Sequence, residues 1–111
     1  MKQLCFKINP GQEVIEVLTD EFKKLDLKTG SITLIGAVDL SCISNMERHD
    51  AKQNLVTYYN EPQELSGVGE ILDGKPHIHC TLSCSDNSLI HGHLQWARVN
   101  TWYVSVYVIV E

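Results

Sequence analysis

His77 and His79 stand one residue apart in "KPHIHC", and His91 and His93 repeat that spacing in "HGH", so that four of the chain's 5 histidines fall between positions 77 and 93. Imidazole ligates transition metals, moves protons near neutrality and satisfies hydrogen bonds inside a fold. Spacing begins to separate these uses. On a strand, residues i and i+2 project from one face about 6.6 Å apart. His77 and His79 would then stand side by side, with Ile78 and Cys80 on the opposite face. Two such rings can lean onto one ion at the ~2.0–2.1 Å nitrogen distance that zinc prefers, and a third ring from the next strand completes a facial set. The polar "SDNS" between the two pairs reads as a turn that carries "HGH" back toward the first pair, and Gly92 leaves room for the approach.

Three neutral imidazoles with an open fourth position suit zinc, and cobalt, nickel, iron or copper with less discrimination. Other readings compete. An isolated His-x-His is more often solvated, or hydrogen-bonded in an interior, than it is a ligand pair. A third histidine across a short hairpin is what raises the metal reading. Without metal, crowded imidazoles repel once protonated and would act as a pH sensor. Glu64 and Glu70 sit on the segment expected to pair with the histidine strand, and either could carry a proton for a metal-bound water, although a solvated carboxylate is the commoner outcome. Cys84 could be a fourth ligand, although a core thiol is commoner. Trp96, Arg98 and Trp102 could form a stacking surface, but paired tryptophans beside a valine strand more often serve core or interface. Lys75 and Arg98 are the nearest cations able to clamp a substrate, and His49 reads as solvated.

The elements that must position these residues are mostly strands. "KQLCFKI" alternates Leu4, Phe6 and Ile8 until Pro10 and Gly11 end it. "QEVIEVLTDEFKKLDL" sets Val14, Val17, Leu18, Phe22 and Leu25 at helical spacing over about four turns, with acids early and Lys23 and Lys24 late, as the helix dipole favours. Gly30 near its end is expected to supply the positive φ of a helix stop. "SITLIGAV" is a buried run, "DLSCIS" alternates, and "SNMERHDAKQ" is expected to be a polar loop before "NLVTYY". In "QELSGVGEIL", Gly67 and Gly69 imply a bulge or a close backbone approach. Asp73-Gly74 is a hairpin turn signal that delivers "HIHCTLSC" as the partner strand. "LIHGHLQWARV" and "TWYVSVYVIV" follow, the latter apolar on both faces. This makes roughly seven strands and one helix. One helix covers only part of such a sheet, so the rest calls for a folded-over sheet or another subunit.

A chain of 111 residues suits one domain, 1–111, and 43% apolar with 21% charged residues is a globular balance. Nine Lys plus Arg against 14 Asp plus Glu give a net charge of -5 without a basic block, which disfavours nucleic acid as a partner. No apolar run reaches the ~18 residues of a membrane span, and the beginning "MKQLCFKINPG" lacks a signal-peptide core, so the expectation is a cytoplasmic protein with no membrane partner. Its 4 cysteines lack Cys-x-x-Cys spacing and are expected to be free, mostly buried thiols.

"GVGEILDGKPHIHCTLSCSDNSLIHGHLQWARV" resembles the plant and prokaryote conserved domain, whose signature runs through a Gly-Lys-Pro-His-x-His strand, a polar turn and a Gly-Gly-His-Leu segment. "INPGQEVIEVL" and "GSITLIGAV" resemble its helix start and following strand, so the likeness spans almost the whole chain. The resemblance implies an α+β single domain with a curved, mostly antiparallel sheet of about seven strands and one main helix, assembled as a homotrimer. It implies zinc or another divalent transition metal at His77, His79 and His93. The arrangement is also similar to that of acetolactate decarboxylase, which holds zinc with three histidines. Two departures stand out: His91 replaces the first glycine of Gly-Gly-His-Leu, and the basic AT-hook of plant members is absent from the sequence. The leading expectation is a metal-binding trimer acting as a module for a small-molecule or protein ligand. The alternatives are a DNA-binding regulator, as the family label suggests, and a metal-dependent lyase resembling acetolactate decarboxylase.

Overall fold

A computed structural model describes all residues, 1–111. In chain order the elements are β1 (Lys2–Ile8), α1 (Val14–Lys24), β2 (Thr29–Val38), β3 (Leu40–Glu47), β4 (Asp50–Tyr59), β5 (Gln63–Leu72), β6 (Lys75–Ser83), β7 (Leu89–Arg98) and β8 (Val104–Val110). The eight strands form one curved antiparallel sheet in the order β1-β8-β2-β5-β6-β7-β3-β4. The α+β class expected from the sequence is the one observed, with eight strands where about seven were counted. Each of the eight strand-like segments named from the sequence forms one, and the polar stretch 44–53 extends two of them. It is no loop, because β3 runs on to Glu47 and β4 begins at Asp50, leaving a tight turn at Arg48 and His49. Polar side chains do not prevent a strand where both faces of a hairpin meet solvent, as β4 does along nearly its whole length.

Helix α1 spans 11 residues, about three turns, and lies on one face of the sheet. Val14, Leu18 and Phe22 are its fully buried residues, packed with Ile32, Leu34, Leu65, Ile78, Leu82, Val106 and Val108 in one core. The Glu13 carboxylate caps it by accepting from the backbone N–H groups of Ile15 and Glu16, and it also accepts from Ala97 N–H at 2.8 Å, tying the helix start to β7. The helix stop is not the expected glycine. Asp26, at φ 53, takes the left-handed position, while Leu27 N–H donates to Phe22 O and Asp26 N–H to Lys23 O. This is the double hydrogen-bond pattern of a Schellman stop, and aspartate tolerates the left-handed region better than most residues. Gly30 lies inside β2 instead, where a side chain would press on Ile109 and Ile71.

Gly67 and Gly69 produce no bulge: the register of β5 with both neighbours is unbroken. They allow a close approach. A Cβ on Gly67 would sit 2.6 Å from the carbonyl oxygen of His79, and one on Gly69 would collide with that of His77. The histidine strand is thus seated directly on glycine backbone. We expect Gly69→Ala to cost about 1–3 kcal/mol, because the blocking atom is backbone and β6 must shift; urea unfolding measures the loss, and wild-type stability would show that β6 is not held there. Asp73 and Gly74, at φ 52 and 82, form the expected tight turn, and Asn87 at φ 71 lies in the "SDNS" turn that returns the chain into β7.

The outer face of the sheet is uncovered. Ile35, Val56, Tyr58 and Val68 are 57–70% exposed there, and the molecule measures 38 × 36 × 20 Å. Trp102, expected on the last strand, precedes it and is exposed.

Candidate metal centre

The alternation of β6 places Lys75, His77, His79, Thr81 and Ser83 on the outer face, with Ile78, Cys80 and Leu82 buried beneath. On β7, His93 lies directly across from His79, and His91 across from Thr81. Ring centroids are 5.2 Å apart for His77 and His79, 5.3 Å for His77 and His93, and 5.8 Å for His79 and His93. One nitrogen from each of these three lies within 4.8 Å of the others. Tetrahedral zinc requires nitrogens about 3.3 Å apart, so small ring rotations suffice. The donor set fits a borderline-soft divalent ion, and with His79 exposed and His77 and His93 half-buried, further coordination positions stay open on the solvent side.

Glu70 lies directly across from His77 in the register of β5 and β6, and its carboxylate is 2.8 Å from His77 Nδ1. That bond fixes the tautomer with Nδ1–H donating to the carboxylate, so Nε2 carries the lone pair for a metal. Of the two carboxylates considered from the sequence, Glu70 is therefore the neighbour. Glu64 pairs with Ser83, six residues or about 20 Å along the strand, and cannot serve these histidines. We expect Glu70→Gln to weaken metal binding about 10–100-fold, read by chelator competition. An unchanged affinity would make the pair incidental.

Burial, then the like charges of His77 and His79 when protonated, hold the His93 pKa below the ordinary histidine value. A depressed pKa means that the unfolded chain binds the proton more readily. The contribution to stability is therefore present above about pH 6.5 and lost as pH falls through the lower folded value. We expect the metal-free protein to lose thermal stability across that acidic window, and His93→Gln to lessen the loss. A wild-type melting temperature flat over the same range would contradict it.

The remaining candidates resolve by geometry. His91 is not in the triad; its Nδ1 is 2.8 Å from Thr81 Oγ1, and its ring centroid is 6.4 Å from that of His79. Cys84 lies beyond the end of β6, where Gln63 Nε2 donates to its sulfur at 3.5 Å, far from the rings. Cys42 and Cys80 are the buried thiols expected, whereas Cys5 is exposed and Cys84 half-buried. Burial pushes the Cys80 thiol up to about 12, which leaves it inert. Arg98 is committed to the Gly11 carbonyl, and Trp96 meets Tyr58 edge to face at 5.2 Å. His49 is exposed, as expected. Sequence reasoning missed Thr81, which the i+2 rule would have placed beside His79. It also missed Ser44, which lies across from His93 only because β3 follows β7 in the sheet.

A sequence model of the Plants and Prokaryotes Conserved (PCC) domain matches residues 1–111. The chain belongs to the Plants and Prokaryotes Conserved domain family. No curated protein matches it. Among solved structures, a metal-containing protein from Archaeoglobus fulgidus is 26% identical, with a TM-score of 0.81 over 97% of this chain and 78% of that one. A Bacteroides thetaiotaomicron protein whose suggested role is DNA binding is 24% identical, with a TM-score of 0.82 over 95% and 76%. Acetolactate decarboxylase from Bacillus subtilis is 14% identical, with a TM-score of 0.61, and the match spans 96% of this chain but 53% of the enzyme. The last two likenesses are of fold alone. Within the PCC fold, the histidine block of this chain lies at the middle of the outer sheet face. No helix of the chain is long and apolar enough to cross a membrane.

Proposed function

We propose that this PCC domain binds one divalent transition metal, zinc in the first instance, through His77, His79 and His93, and works as a homotrimeric module for a small-molecule or protein ligand. The observation that carries the reading is the convergence of three imidazole nitrogens within 4.8 Å from two adjacent strands. The Glu70 carboxylate, placed to orient His77, adds to it, as does the metal-containing relative of the same fold. A bound ion would supply a Lewis-acid centre with positions open to an oxygen ligand. Elemental analysis of protein purified without an affinity tag tests this: one metal per chain is expected, and a metal-free protein that takes up no zinc on addition would refute it.

Assembly would cover part of the apolar outer face that α1 leaves bare. Light scattering on the eluting protein should give about three times the 12.5 kDa chain mass, and a monomer at micromolar concentration would remove the trimer. A DNA-binding role has weaker support: a net charge of -5 offers phosphates little, and a salt-dependent gel shift would be needed to revive it.

A further inference from the structure

Beside the triad, toward β3 and β4, the outer face sinks into a groove of about 320 Å³. Its walls include Ser44 and Met46 of β3, Asn54 of β4, and His91 and Gln95 of β7, with His79 and His93 at one end. Met46 is its one apolar residue, and no Lys, Arg, Asp or Glu lines it. The polar walls are braced. Gln95 Nε2 donates to Ser44 Oγ at 2.8 Å, and Asn45 Nδ2 donates to the His91 carbonyl at 3.1 Å. Gln95 enters the groove because it is the unpaired residue of a bulge: Ile43 faces Leu94 while Cys42 faces Trp96.

His91 is the residue that the metal reading leaves without a task. Thr81 Oγ1 occupies its Nδ1. With the hydroxyl donating, the ring carries its proton on Nε2, the nitrogen free to serve the groove. In that tautomer the groove offers an imidazole N–H close to the metal position, with the Asn54 amide on its far wall. Charge then selects the ligand. A divalent ion on three neutral imidazoles gives +2, the Glu70 carboxylate beyond His77 returns -1, and the groove walls add nothing. The balance favours an anion of single charge over a neutral molecule or a dianion. N–H donors prefer an ionised oxygen acceptor. At about 30 Å³ per water-sized volume, there is room for a molecule of about ten heavy atoms.

We propose that this groove receives a small monocarboxylate, which meets the metal through one oxygen and is gripped by His91 Nε2. The proposal rests on the metal reading above, and one experiment separates them. The untagged protein is loaded with cobalt(II), whose visible spectrum reports its ligands, and titrated with glycolate, neutral glycolamide and azide. Glycolate should shift the spectrum saturably and glycolamide should not. His91→Gln should weaken glycolate binding about tenfold or more, while cobalt affinity and the azide response stay at wild-type values, and Asn54→Ala, at the far wall of the groove two strands from β7, should bind glycolate as the wild type does. Asn54 lies on exposed β4, so its replacement leaves the core untouched. A cobalt site that binds glycolate no better than glycolamide, or binds it equally well in His91→Gln, overturns the groove proposal alone. A protein that takes up no cobalt overturns both readings.

Discussion

His79→Ala is expected to lose stoichiometric metal and keep its fold. His79 is the ring that joins the two strands of the site: it shares a face of β6 with His77 and lies directly across from His93. Its side chain is exposed on the outer face, so truncation opens no cavity and leaves the core of Ile78, Cys80 and Leu82 intact. Removing it takes the donor set from three imidazoles to two. An orienting partner outside the coordination sphere is worth about 10–100-fold in affinity, and loss of a ligand itself should exceed that upper figure. Competition against a chromophoric chelator measures it, with circular dichroism as the check on folding. A variant that still holds one metal per chain at wild-type affinity would remove His79 from the site.

Phe22→Ala is expected to cost about 3–5 kcal/mol, a large share of the roughly 5–15 kcal/mol that holds a domain of this kind. Phe22 is fully buried on the last turn of α1, and its ring meets Phe6 edge to face with centroids 5.9 Å apart. Because α1 is the chain's one helix, no second element is available to fill the space from that side of the sheet. The change should lower the urea midpoint without altering the slope of the transition. Metal should restore part of the loss, since a ligand that binds only the folded chain adds stability in proportion to the logarithm of its concentration over its dissociation constant. A loss below 1 kcal/mol would mean that the helix contributes little to holding the sheet.

What could be read from the sequence was what lies close along the chain. The His-x-His pair, the Asp73-Gly74 turn and the short return through "SDNS" are local features, and local geometry brought His93 opposite His79. The helix was equally plain, because its apolar period leaves one face for the core. Its stop was misplaced because two residue types meet the same need: Asp26 took a conformation assigned to Gly30. The facing ends of β3 and β4, within 44–53, were read as a loop because composition cannot tell a solvated strand from a solvated turn. The groove was invisible for a topological reason. Ser44 and Asn54 become neighbours of the histidines because β3 pairs with β7, half the chain away in sequence.

X-ray absorption at the metal edge tests the coordination claim most directly, on untagged protein loaded with one equivalent of zinc. The account predicts a first shell of nitrogen and oxygen at ~2.0–2.1 Å, with outer-shell scattering from three imidazoles and no sulfur. A sulfur shell near 2.3 Å, or fewer than two imidazoles, would contradict it.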